Sequence, residues 1–189
     1  MQMRIKETTI PGCREIFPCI LRDQRGAFVK TFHDEVFHSN GLATDWREEY
    51  YSVSRHGVLR GLHFQLPPHD HEKLVYCTAG SVIDAVVDLR KGSPTYGRHL
   101  IVKLSADQGN MLYIPRGLAH GFYVTDESAT MLYKVSSVYS PEYDSGILWN
   151  SAGIPWPDDN PDISTRDAGF SSLDRFLSPF TFEGNRRRP

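Results

Sequence analysis

Five residues in this 189-residue chain carry side chains suited to moving protons or stabilising a developing anion: His63, Lys73, His120, Tyr133 and Asp167. An imidazole titrates near neutral pH and can act as a general base. A phenol can protonate a strongly basic carbon, and an ammonium can stabilise a developing oxyanion. Taken singly, each residue has a plainer reading. A lone histidine in a strand is commonly packed, and lysine is mostly a surface residue. Tyr133 is a good strand-former that shares a face with Met131 and Val135, and Asp167 suits a helix or turn cap. A catalytic metal needs at least three converging protein ligands and an open position. His69-Asp70-His71, next to Glu72 and after Pro67-Pro68, offers an incomplete set and reads as a polar loop. Cys13, Cys19 and Cys77 show no C-x-x-C spacing, which points to ordinary thiols in a reducing cytoplasm.

Strands must position these groups. From about residue 50 to 140 the pattern is one of short alternating or β-branched runs: Lys73–Cys77, Ser81–Leu89, His99–Leu104, Met111–Ile114, Gly121–Val124 and Ala129–Tyr139. Turn residues separate them, and many strands at this spacing predict a sandwich or jelly roll. Short helices are expected at Asp34–Ser39 and Ser171–Leu177. No repeat or linker divides the chain, so it reads as a single domain, with a barrel core over about 45–157 and a C-terminal segment over 158–189.

Apolar residues make up 40% of the chain and charged residues 23%, as in ordinary globular proteins. A net charge of −2 argues against a nucleic-acid surface, which needs a basic excess. The run Arg186–Arg188 reads as a frayed tail. No apolar stretch approaches the roughly 18 residues of a membrane span, and the first residues lack the apolar region of a secretory signal.

The most specific pattern is Gly109-Asn110-Met111-Leu112-Tyr113-Ile114-Pro115-Arg116-Gly117-Leu118-Ala119-His120. It fits G-x5-P-x-G-x2-H, the second cupin motif, in which a tight turn between barrel strands directs the histidine into the barrel mouth. The motif would continue with Asn at position 124, where Val124 stands. The first cupin motif would place Glu three or four residues after H-x-H, where this chain has Leu74, Val75 and Tyr76. The expectation is a cupin-like barrel without a metal and without a cofactor.

With Arg60-Gly61-Leu62-His63-Phe64-Gln65 and Pro67-Pro68, the chain resembles the dTDP-4-dehydrorhamnose 3,5-epimerase family. The likeness also covers Arg25-Gly26-x-Phe28, Lys73-Leu74-Val75 and Gly80-x3-Asp84-x3-Asp88. It continues through Leu132-Tyr133-Lys134, Tyr139, Gly146-Ile147-x-Trp149 and Ser164-x-Arg166-Asp167. The resemblance implies an all-β, cupin-like jelly-roll barrel with short peripheral helices, acting on a nucleotide-diphosphate 4-keto-6-deoxy sugar. It implies inversion at C3, C5 or both, with His63 as base, Asp167 as its partner, Lys73 on the enolate and Tyr133 as proton donor. It gives Arg25, Phe28, Arg60, Gln65, His120 and Tyr139 to substrate binding. It also implies a homodimer in which Arg25–Phe32 completes the partner's site. Lys30, Glu48 and Tyr50 depart from the family's usual Glu, Gln and Asn. Rival readings are a 3-epimerase, a 3,4-ketoisomerase of the same fold and a non-catalytic sugar-binding cupin. Strand alternation puts Arg60 and His63 on opposite faces unless Gly61 supports a bulge.

Overall fold

The computed structural model describes residues 3–184. The run Arg186–Arg188 lies outside them. The first half holds β1 (Arg4–Glu7), β2 (Arg14–Phe17), β3 (Ile20–Asp23), β4 (Gly26–Val29), α1 (Asp34–Ser39), β5 (Glu48–Arg55) and β6 (Leu59–Gln65). There follow β7 (Lys73–Ala79), β8 (Ser81–Asp88), β9 (His99–Ser105), β10 (Met111–Ile114), β11 (Leu118–Val124), β12 (Ser128–Val135) and β13 (Asp144–Gly146). A short α2 (Thr165–Ala168) and a 3₁₀ turn at Leu173–Arg175 complete the set.

Two antiparallel sheets face each other. One runs β1-β2-β10-β7-β12-β5, the other β13-β6-β11-β8-β9, while β3 and β4 form a separate hairpin. Between the sheets, Val75, Leu112 and Met131 pack against Val82, Val86, Leu104 and Phe122. The outer faces are covered too. Ile147, Ile154 and Phe180 close over Leu62, Phe64 and Val87, and Phe37 and Leu42 close over Leu74, Tyr76 and Met111. Strands buried on both faces need no polar alternation, which is why β11 is buried along its whole length.

The sheet extends further toward the N-terminus than the expected core of 45–157. Arg4–Glu7 and Arg14–Phe17 join it through β10, and their charged residues had hidden the pattern. The expected strand Ala129–Tyr139 ends at Val135, because the hydroxyls of Ser136 and Ser137 turn to Glu72 and to the His69 carbonyl. The expected helix Ser171–Leu177 is only the 3₁₀ turn, because Phe176 is extended and packs on Phe64. The short helix instead forms at Thr165–Ala168. There Ser164 caps the Asp167 N–H, a Ser-x-x-Asp signature legible in the sequence.

The feature that sets the site is a bulge in β6. His120 pairs with His63 and Phe122 with Arg60, so three steps on β6 answer two on β11. The extra residue brings Arg60 and His63 to the same cleft. Gly61 has φ +146°, and a Cβ there would lie 2.7 Å from the Gly121 Cα. Both the conformation and the space demand glycine. Gly61→Ala is expected to lose at least about 2 kcal/mol of stability, lowering Tm by about 4–8 °C. Thermal unfolding followed by circular dichroism would show it, and an unchanged Tm would contradict the close approach of the two strands.

Candidate active site

One cleft of about 440 Å³ opens between the sheets. Its walls bring together His63, Lys73, His120, Tyr133, Arg60, Gln65 and Tyr139. Two expected binding residues are not there. Arg25 sits in the exposed β3–β4 hairpin, paired with Asp23 at 2.6 Å, and Phe28 on the same hairpin is 63% exposed. Neither reaches this chain's own cleft, because the hairpin belongs to neither barrel sheet.

His63 Nε2 lies 2.8 Å from Asp167 Oδ1. The same carboxylate accepts the Gly61 N–H through Oδ2 at 3.2 Å, and Arg166 Nε lies 3.3 Å from Oδ1. Burial pushes the Asp167 carboxyl up, but the His63 pair, the Gly61 N–H and Arg166 outweigh it and hold it below the usual range. Burial pushes the His63 imidazole below its ordinary value, and the charges of Lys73 and Arg166 add to this against the pull of Asp167. The histidine is therefore neutral at pH 7, with an oriented ring and a carboxylate ready to stabilise its cation. Phe170 flanks the ring edge-on at 5.8 Å.

Lys73 contradicts the default for its residue type. It is only 7% exposed, and its ammonium donates to the His63 carbonyl at 3.3 Å. Burial lowers its pKa to about 8, against the raising effect of Asp144 and Asp84. Tyr133 is also buried, on the neighbouring strand β12 of the same sheet and opposite His63, and burial pushes its phenol up so that it keeps its proton. Its hydroxyl lies 3.4 Å from Ser52 Oγ.

His120 does not stand alone. Its Nε2 lies 2.8 Å from Asp84 Oδ2, and both side chains are buried. Burial raises the Asp84 carboxyl against the opposing effects of His120 and Lys73. Asp84 was visible in the sequence only as a motif position, since the β8–β11 pairing that joins it to His120 is tertiary. Gln65 lines the cleft, but its amide is largely engaged by backbone, donating to His69 O at 2.9 Å and accepting from the Ser140 N–H at 2.6 Å. Tyr139 donates to Asp144 at 3.2 Å, and Arg166 pairs with the same carboxylate at 2.8 Å. Asp144 and Ser52 also line the cleft with no motif to mark them, while Arg166 stands in the sequence only as a motif neighbour of Asp167 and Tyr50 only as a departure from the family pattern. Their signal was weak: a short strand, a helix-cap neighbour, and polar alternation along β5.

The histidine loop is tied up locally. His69 packs on Tyr143 at 4.4 Å, and His71 Nδ1 lies 3.0 Å from Ser137 Oγ. Burial, with Lys73 and Arg116 nearby, lowers the His71 pKa to about 3. Among the described residues, no three His, Cys, Asp or Glu side chains converge on a point that could hold a metal.

Fold and cleft together define a cupin-like jelly roll with an acid–base site. A family model described as dTDP-4-dehydrorhamnose 3,5-epimerase matches residues 7–175. The dTDP-4-dehydrorhamnose 3,5-epimerase of Shigella flexneri is 42% identical over 181 residues, covering 93% of this chain and 100% of that relative. The structure of dTDP-6-deoxy-D-glucose-3,5-epimerase from Legionella pneumophila, in complex with dTDP-4-keto-L-rhamnose, matches with a TM-score of 0.92. It is 34% identical, over 97% of this chain and 100% of that one. A 3'-monoepimerase from Streptomyces bikiniensis, in complex with dTDP-quinovose, matches with a TM-score of 0.84 at 34% identity, over 89% and 87% of the two chains. The chain belongs to the dTDP-4-dehydrorhamnose 3,5-epimerase family and is an isomerase-class enzyme.

With His63 as base and Lys73 as the charge that meets the enolate, as the family resemblance implies, the two shifted groups predict a pH profile. A base works when neutral, so kcat/KM should fall as pH drops through the His63 pKa, below the ordinary 6.5. A charge-stabilising ammonium works when protonated, so kcat/KM should fall as pH rises past about 8. Lys73→Arg, whose charge persists, should move the alkaline limb above pH 9 in whatever activity it retains. An unmoved limb would exclude Lys73 as its source.

Proposed function

We propose that this enzyme inverts C3, C5 or both of a dTDP-linked 4-keto-6-deoxy sugar, in deoxysugar or surface-polysaccharide biosynthesis in the cytoplasm. No helix among the described residues is long and apolar enough to cross a membrane. The observation that carries the reading is placement across the cleft. His63, paired with Asp167, stands on the five-stranded sheet, and Tyr133 stands on the six-stranded sheet opposite. A sugar ring held between them would present one face to the base and the other to the phenol.

In this mechanism neutral His63 takes the proton on a carbon next to the C4 ketone, and Asp167 stabilises the imidazolium. The electron pair moves onto the C4 oxygen, where the Lys73 ammonium offsets the charge in a site largely shielded from water. Tyr133 then returns a proton to the opposite face, and the ketone reforms with the carbon inverted. Arg60 and Arg166 supply positive charge at the cleft for a diphosphate. His120, held by Asp84, contacts the sugar, and Gln65 and Tyr139 shape the mouth. The complexed relatives from Legionella pneumophila and Streptomyces bikiniensis support the dTDP-sugar class.

The test is exchange in D2O with dTDP-4-keto-6-deoxyglucose, followed by NMR. Wild-type enzyme should incorporate deuterium at each carbon it inverts, so one labelled carbon or two separates a 3-epimerase from a 3,5-epimerase. His63→Ala should abolish exchange and inversion together. Tyr133→Phe should keep exchange through His63 while inversion falls by about 10²–10⁴-fold. Inversion at near wild-type rate in Tyr133→Phe would remove Tyr133 as donor.

The same reading makes the protein a homodimer in which the β3–β4 hairpin carries Arg25 and Phe28 to the partner's cleft. The exposed Leu21, Phe28, Tyr51 and Val53 support it as apolar surface open to a second copy. Light scattering on the eluting peak should give twice the chain mass, and a monomer would refute the shared site.

A further inference from the structure

The assigned donor Tyr133 does not stand alone on its wall of the cleft. Tyr50 is its directly registered neighbour across the β5–β12 pair. The two rings are stacked, with centroids 4.9 Å apart and planes inclined by 16°. Two residues further along β5, Ser52 presents its hydroxyl 3.4 Å from the Tyr133 hydroxyl. The alternation of β5 therefore places an aromatic plate and a hydrogen-bonding hydroxyl side by side on the cleft wall, both addressed to the same phenol. His120 touches the Tyr133 ring edge-on from the facing sheet, at 6.2 Å.

This arrangement is more than strand packing. Tyr50 lies on the outermost strand of its sheet and is 45% exposed, while Tyr133 is buried behind it. A half-exposed ring lying flat over a buried one fills the space that water would otherwise occupy on that side. Burial is the largest cause of the upward shift of the Tyr133 phenol, so the groups that exclude water from it also keep its proton in place.

We propose that Tyr50 is the positioning residue for reprotonation: its ring clamps the Tyr133 ring in plane and screens the Tyr133 hydroxyl from solvent, so that this proton goes to the sugar carbon. The proposal rests on the assignment of Tyr133 as donor. In the step it governs, the Tyr133 O–H bond breaks as the new C–H bond forms on the face opposite His63. The enolate electron pair becomes that C–H bond, and the phenolate left behind regains a proton from solvent after product leaves. A donor ring free to swing would meet the enolate less often. His63, still beside the opposite face, would then return its proton or deuteron there first. Loss of the clamp should thus alter the partition of the enolate between its two faces and leave its formation in place.

The experiment compares Tyr50→Phe, Tyr50→Leu and Tyr50→Ala in D2O, measuring deuterium wash-in and inversion on the same sample. Tyr50→Phe keeps the plate and should hold the wild-type ratio of inversion to wash-in within about twofold. Tyr50→Leu and Tyr50→Ala should lower that ratio tenfold or more, with wash-in falling far less. Thermal melts identify any variant that has lost its fold, and the ratio is unaffected by the fraction of active protein. A parallel loss of both readouts in Tyr50→Leu would make Tyr50 a substrate-binding residue and overturn the proposal. So would an unchanged ratio in Tyr50→Ala, or a Tyr50→Phe ratio as low as that of Tyr50→Ala. Tyr133→Phe separates the two claims. If it keeps inversion, the donor assignment falls and the clamp with it. If it loses inversion while Tyr50→Ala keeps the ratio, only the clamp falls.

Discussion

Two neighbouring backbones run in close contact where β6 lies beside β11 at Gly61 and Gly121, and the site is built outward from that contact. Gly61 and Gly121 have no Cβ, so the strands approach where any side chain would hold them apart. The extra residue accommodated there rotates Arg60 into register with His63. The buried Gly61 N–H, left out of the ladder by the bulge, then becomes the donor that Asp167 accepts. One carboxylate thus satisfies a backbone group left over by the bulge and orients the imidazole two residues further on. A regular strand would supply neither the shared face nor the spare donor.

Around this point the sheets are covered on both faces, which buries several of the charged groups that line the cleft. Lys73 and the His120–Asp84 pair are buried among strands whose apolar side chains are fully packed. Desolvation on this scale penalises the charged form of each group and brings their titrations toward neutrality or away from it, according to type. The same burial lowers His63 and Lys73 and raises Tyr133. A neutral imidazole, a lysine that titrates at about 8 and a phenol that stays protonated all follow from one buried setting.

Much of this was legible beforehand, but unevenly. The turn-punctuated runs between 50 and 140 carried the sheets, and the Gly109–His120 motif carried the barrel and the inward histidine. Periodicity assigned His63, Lys73 and Tyr133 to packing or surface, because burial depends on which strands lie opposite, and that is decided by register between segments far apart. The terminal strands escaped notice because Arg4–Glu7 and Arg14–Phe17 are mostly charged, with Ile5 and Ile16 alone turned to the core. Asp84 could be marked as a motif residue, yet its partner depends on the β8–β11 ladder. Tyr50 was marked as a departure from the family pattern, and only the β5–β12 register shows what it lies against. Arg25 and Phe28 are legible as a motif and lie outside this chain's cleft, since no local pattern specifies which surface a hairpin packs against.

The Asp167 contact joins residues 106 positions apart, Gly61 in an early strand and a carboxylate on a four-residue helix near the end of the chain. As the polypeptide emerges from the ribosome, every strand of the barrel is synthesised before the group that orients the base. Until that carboxylate is in place, the Gly61 amide lacks the partner it has in the folded chain and the His63 ring lacks its neighbour. The cap at Ser164 turns the chain there and sets the short helix against β6. Chain order therefore puts the pairing of the Gly61 amide and of the His63 ring behind the synthesis of the sheets that carry them.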